Sequence, residues 1–293
     1  MCKYDKFCEN MKHWKEWFDS EKRRCIVYQV QQILFDAYIF KLLNRAYELS
    51  DTETTNGKEI VKKNQMIFWF IDRTYVHAAH IDIRRLLFDK DEISLKTLLK
   101  KIKNQNHLLT RENYAKKFDY FINLDKHKVE YAKKISSRIS SYKSGGEIAD
   151  PFIIKYDRSA RFHERFDKLC NKNKDDREPK DIIGIGIYDT LNSDLQKCED
   201  LIRDVADKVF AHTDKKKFGD DIYINFSDIF DAIKLLASVV KFVSLNLLCN
   251  YEISMLPSPP INWHKYLHEP LVDEKDHVEI SKIWQVYSQE INS

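Results

Sequence analysis

Between Leu201 and Asp214 the chain reads Leu-Ile-Arg-Asp-Val-Ala-Asp-Lys-Val-Phe-Ala-His-Thr-Asp. Leu201, Val205 and Val209 recur every four residues, the mark of a helix face turned to a core. Asp204, Lys208 and His212 form a second row at the same interval. At about 100° per residue the two rows sit roughly 100° apart, so His212 is displayed beside the buried stripe and not within it. An imidazole there can move a proton near neutral pH, and Lys208, one turn earlier, can hold anionic charge. The plainer alternative is a histidine at a helix C-terminus, where the dipole favours it.

Other chemistry-bearing groups carry less. His77 and His80 lie three apart on a helical pattern with Asp82 and Arg84 nearby, but no carboxylate stands at metal-ligand spacing on that face. His264 and His268, followed by Glu269, Asp273 and His277, are interrupted by Pro270 and have no glutamate between them, so they read as tail surface. Ile182-Ile183-Gly184-Ile185-Gly186-Ile187 has two glycines but neither a third nor a following Lys-Ser/Thr pair, and reads as a flexible loop before a helix. The six cysteines are scattered without a two-residue spacing, which argues against a zinc knuckle or a redox pair. No cofactor and no metal are expected.

Composition narrows the class. With 43% hydrophobic and 13% aromatic residues, the 293-residue chain has enough apolar material for a real core. Six glycines and six prolines are too few for a turn-rich β-sandwich, which leaves long helices. The 49 basic and 46 acidic residues nearly cancel, so nucleic-acid binding would require the positive charge to cluster on one face. The first residues lack the apolar core of a secretory signal, and Ile229–Leu248 is interrupted by Asp231, Lys234 and Lys241. A cytoplasmic protein that does not enter a membrane is expected.

The elements that must position His212 follow from periodicity. Helices are expected over Cys25–Leu49, Gln65–Phe88 and Leu95–Lys103, the last capped by Ser94. Arg111–Tyr142 reads as one long charged helix, and a short helix over Ser159–Leu169 sits in an irregular, mobile insert spanning about 144–186. Tyr188–His212 is helical, Phe218–Phe226 extended, and Asp228–Cys249, capped by Ser227, is a central helix apolar on nearly every side. Prolines 257, 259 and 260 close the helical body, and a terminal helix is expected over Asp276–Glu290. The fold class is all-α: a helical bundle over 1–256, its core about 25–255, with an extension over 257–293.

Two blocks of the chain resemble the HEPN superfamily of all-helical proteins, in its AbiU-like abortive-infection branch. One is Tyr75–Ile102, with Ile83-Arg84-Arg85-Leu86-Leu87-Phe88-Asp89 followed by Ser94–Leu99; the other is Leu201–Asp214 with the apolar helix after it. Their order and separation match as well, and together they organise residues 25–255. The resemblance implies a bundle that often dimerises, with a metal-independent endoribonuclease site at the interface of active members. The family motif is an arginine, usually followed by a polar residue, with four to six residues between it and a histidine. His212 matches that histidine, and Ala206, followed by Asp207, stands where the branch usually has arginine. Arg203 lies nine residues from His212, on roughly the opposite side of the helix; Lys208, Arg84 and Arg85 are the other cations that could serve. The expected function is a bacterial defence or toxin protein acting on RNA: degenerate, borrowing its cation, or the neutralised partner of another subunit. It is expected to be a homodimer. The alternative is a non-enzymatic module that binds a protein partner or its own copy; a ligand-sensing role is a third reading.

Overall fold

The computed structural model describes residues 2–20, 25–50, 65–88, 93–141, 150–209 and 226–250, with side chains for all of these except 46–50, 65–66, 88, 139–141 and 204–209. Among these residues the chain is all-α, with no strand and a single isolated bridge between Thr110 and Ile182. The helices are α1 (Lys3–Phe18), α2 (Ile26–Ser50), α3 (Gln65–Phe88), α4 (Leu95–Asn104), α5 (Arg111–Lys117), α6 (Asp125–Ser141), α7 (Pro151–Cys170), α8 (Ile185–Val209) and α9 (Phe226–Phe242). By its own contacts the chain divides into two units: 1–41 with 64–256, and 42–63 with 257–293. None of the helices described is long and apolar enough to cross a membrane. The extended segment expected over 218–225, the prolines after 256, the tail histidines and the terminal helix lie outside the described residues.

The packing centre is the α8–α9 pair. From α8, Leu191, Leu195, Cys198 and Ile202 are buried at three- and four-residue intervals, and α9 answers with Ile229, Ile233, Leu236, Val239 and Val240. α3 closes on both with Val76, Ile83, Leu86 and Leu87, and α4 adds Leu95, Leu98, Leu99 and Ile102. Each such side chain contributes roughly 1.5–3 kcal/mol when fully buried, so the bundle needs no strand to stabilise it. The Ser94 hydroxyl accepts from the Thr97 amide at 3.1 Å and caps α4, as its position predicts.

α1 was not expected from the sequence, although its signal is present. Phe7, Met11, Trp14 and Phe18 form a buried stripe, and Cys2 with Asp5 makes a reciprocal capping box. The expected single helix over 111–142 is broken in two. Asp119 adopts a left-handed conformation (φ 56°), and α7 captures the backbone that follows: the Phe121 amide donates to Ser159 Oγ at 2.9 Å, and the Phe121 carbonyl accepts from His163 Nε2 at 2.8 Å. The short helix expected over 159–169 is a 20-residue helix, opened by the Asp150 cap and closed by left-handed Asn171.

α9 also departs from expectation. It begins at Phe226, one residue before the expected cap, and buries only one face, leaving Asp231, Lys234 and Lys241 exposed. It widens into a π-turn over Val243–Leu247 instead of running on to Cys249. Arg165 and Tyr114 draw off the carbonyls of Leu245 (3.3 Å) and Leu247 (2.6 Å), and Cys249 then turns left-handed (φ 48°).

Candidate functional site

α8 carries the predicted site residues toward its end. Its backbone is helical through Val209, so Asp207 and Lys208 lie in its last turn, and His212 follows three residues beyond, outside the described residues. Arg203 is exposed and turned back along the helix: its Nη2 donates to Asp200 at 3.0 Å and to Glu199 at 3.4 Å. Glu199 is more enclosed and also receives Lys96 Nζ from α4 at 3.0 Å. An exposed ion pair of this kind is worth a few tenths of a kcal/mol, so it orients Arg203 without locking it. Arg84 and Arg85 stand exposed near the end of α3, a helix that packs against α8. Thus the fold brings the helices that carry Arg84, Arg85 and Arg203 together.

A second constellation, centred on a buried arginine, was not foreseen. Arg111 begins α5 directly after its Thr110 cap and is 1% exposed. Its Nε and Nη2 donate to Asp181 Oδ2 at 3.2 and 3.0 Å, and Nη2 also reaches Asp167 Oδ1 at 2.9 Å. Its Nη1 faces His163 Nδ1 at 3.2 Å, and Phe166 packs against the guanidinium 4.8 Å away. Arg177 grips Asp167 with a two-pronged contact, and Lys172 pairs with Asp181. Backbone bonds from Arg111 to Asp181 and from Glu112 to Pro179, both 2.9 Å, pin the same loop.

The chemistry of this cluster follows from its proton inventory. A carbonyl oxygen cannot donate, so His163 Nε2 carries the hydrogen that Phe121 accepts, and Nδ1 is left as the acceptor for Arg111. Burial, then the charges of Arg111 and Arg177, hold the His163 pKa below its ordinary value. Burial pushes the two carboxyls up, but Arg177 and Arg111 at Asp167, and Lys172, the Glu178 amide and Arg111 at Asp181, bring both below the usual carboxylate range. Both ring nitrogens of His163 and all three guanidinium nitrogens of Arg111 are occupied. The cluster is therefore a clamp joining α5, α7 and the 171–181 loop. It forms one wall of an open cleft of about 1470 Å³ between α7, that loop and the start of α6.

Residues 11–249 match the HEPN family model described as AbiU2. The chain belongs to the HEPN AbiU2 family. No curated protein and no solved structure matches it significantly. The family match spans both blocks that carried the resemblance and includes His212, the arginine clamp and α9. In an AbiU2 protein the arginine–histidine spacing alone is a weak guide. Arg158 and His163 also satisfy it, with four residues between them, yet that histidine is saturated and Arg158 lies over the Tyr120 ring at 6.0 Å.

The clamp had only faint sequence signals. Arg111 follows a cap and looked like any charged first-turn residue, and its partners lie 52–70 residues away. The glycine segment is explained differently from the expectation of flexibility. The Gly184 amide donates to Leu169 O at 2.8 Å, a Cβ at that position would stand 3.2 Å from the same oxygen, and Ile183 O accepts from the buried Asn106 amide at 2.7 Å. Gly184 permits a close approach to the end of α7, and Gly186 already lies in α8. Among the described residues no group of three or more His, Cys, Asp or Glu side chains is arranged to hold a metal ion.

Proposed function

We propose that this HEPN-like protein of the abortive-infection type is a cytoplasmic bacterial defence or toxin protein that acts on RNA without a metal, with His212 as its proton-transfer group. The observation that carries the reading is the family match over residues 11–249, a span that includes His212, three positions after Val209 in the sequence. Cleavage of this kind joins the ribose 2′-oxygen to phosphorus and breaks the P–O5′ bond. A base takes the 2′-hydroxyl proton, an acid returns one to the departing 5′-oxygen, and a cation offsets the charge on the phosphorane. His212 supplies the proton transfer, and Lys208 supplies a point charge where the family uses a guanidinium fork. Asp207 weakens phosphate binding beside it. Ala206 therefore makes the chain a poor ribonuclease on an intact scaffold.

The test is to restore the fork. Ala206→Arg should raise metal-free RNA cleavage at least tenfold over the native sequence, and Ala206→Arg with His212→Ala should abolish the gain. No gain in a folded Ala206→Arg protein would sink the reading.

A second reading, a dimerisation or protein-interaction module, is favoured by the first turns of α3. There Ile67, Trp69 and Phe70 are all more than half exposed, and the Arg73 guanidinium lies over Trp69 at 5.6 Å. Apolar side chains clustered this way on one helix mark a surface that gains from being covered.

A further inference from the structure

The chain's positive charge is not spread evenly. α6 and α7 together hold ten of the 49 lysines and arginines but only five of the 46 acidic residues, so the rest of the chain is slightly acidic. α6 alone has five cations against two acids. None of its described side chains is buried, and it packs along α7 through a half-buried stripe that includes His127, Tyr131 and Lys134. A helix this polar, with no side chain in the core, is an arm and not a core element.

The arm interleaves its charge with aromatic rings. Tyr131 stacks on Tyr156 of α7 at 4.1 Å, and His127 stacks on Phe121 at 3.9 Å. Lys126 and Lys133 lie one above the other on the exposed face, and Lys128 flanks Tyr131; none of the three forms an ion pair among the described residues. Lys126, Lys128 and Tyr156 line the 1470 Å³ cleft, which is larger than the roughly 300–1,000 Å³ of a small-molecule pocket. Asp125, Glu164 and Asp175, all exposed, line it as well, so an anionic strand would have to follow the lysines and rings and avoid these carboxylates. Basic side chains tracking a backbone beside stacking rings are the elements of single-strand nucleic-acid binding.

We infer that the α6–α7 arm and the mouth of its cleft form a binding surface for single-stranded RNA, separate from the end of α8. This inference rests on the RNA-directed reading above, and its test is independent of cleavage. Binding of a fluorescently labelled single-stranded oligoribonucleotide of mixed sequence is measured on the full-length His212→Ala protein in a chelator, across a salt series. The arm variant adds Lys126→Glu, Lys128→Glu and Lys133→Glu; the control reverses Lys12, Lys100 and Lys241, which are also exposed. Helical content by circular dichroism checks that each variant folds.

The arm variant should bind about tenfold more weakly or worse, and its log-affinity against log-salt slope should shrink by about two, because each lost contact on a single strand removes about 0.7. The control should stay within about threefold of its parent. The inference is overturned if the parent binds no RNA, if both variants weaken equally, or if anionic lipid vesicles are bound in preference to RNA. RNA binding that depends on the arm, in a protein that never cleaves, would leave the arm standing and sink the nuclease reading. Binding unaffected by the arm variant, in a protein whose native form does cleave, would sink the arm alone.

Discussion

Arg111→Met keeps most of the side-chain volume and removes the charge that two enclosed carboxylates share. Asp181, whose side chain is 1% exposed, retains Lys172, and Asp167 retains Arg177, so neither is left wholly unpaired. Breaking a buried pair on one side costs about 3–5 kcal/mol, and the surviving partners place this variant near the lower end, about 3 kcal/mol. Adding Asp181→Asn removes a buried charge left with less compensation and should recover about 1–2 kcal/mol, because the penalty arises from that under-compensated group and not from the missing contact. The assay is equilibrium urea unfolding followed by far-ultraviolet circular dichroism, with a double-mutant cycle across the two positions. The pH dependence adds a second readout. His163 is held neutral in the fold, so below about pH 6.5 the unfolded chain binds more protons and stability falls with pH. Asp167 and Asp181 have depressed pKa values, so their contribution is present above about pH 4 and is lost as pH falls through their folded values. All three slopes share one sign, and removing Arg111 should flatten the carboxylate part. A cost below about 1 kcal/mol, or a double variant no better than the single one, would refute the clamp.

Two further outcomes follow from the geometry. Gly184→Ala should destabilise by about 1–2 kcal/mol because its Cβ meets the Leu169 carbonyl, whereas Gly186→Ala, with nothing within 4 Å, should be neutral or stabilising by up to about 1 kcal/mol; the same urea unfolding reads both. If the first turns of α3 join two copies, light scattering should find a dimer at micromolar concentration that Trp69→Glu with Phe70→Glu converts to a monomer. A native monomer would rule out that interface.

The sequence was most legible where one face is apolar and the helix is long. α2, α3, α4 and α8 follow directly from such stripes, and the Ser94 cap fixes the start of α4. It was least legible where long-range polar contacts override local pattern. Nothing near Lys117 announces that Ser159 and His163 will capture Phe121 and end the helix there, and nothing near Asn246 announces Tyr114 and Arg165. α1 is the opposite case, since its stripe and its capping box are both local. At the site, histidine spacing pointed to α8 and the family match covers it, but the same spacing at Arg158 and His163 encodes structural support. Both ring nitrogens of His163 are taken up by the fold, which periodicity does not reveal.

The central claim, that His212 drives metal-free RNA chemistry, is tested most directly by the products of RNA incubated with excess chelator. The native chain should release fragments ending in a 2′,3′-cyclic phosphate, slowly and in proportion to enzyme, and His212→Ala should release none. Equal cleavage by both proteins, or no cleavage by the native chain at any concentration, would contradict it.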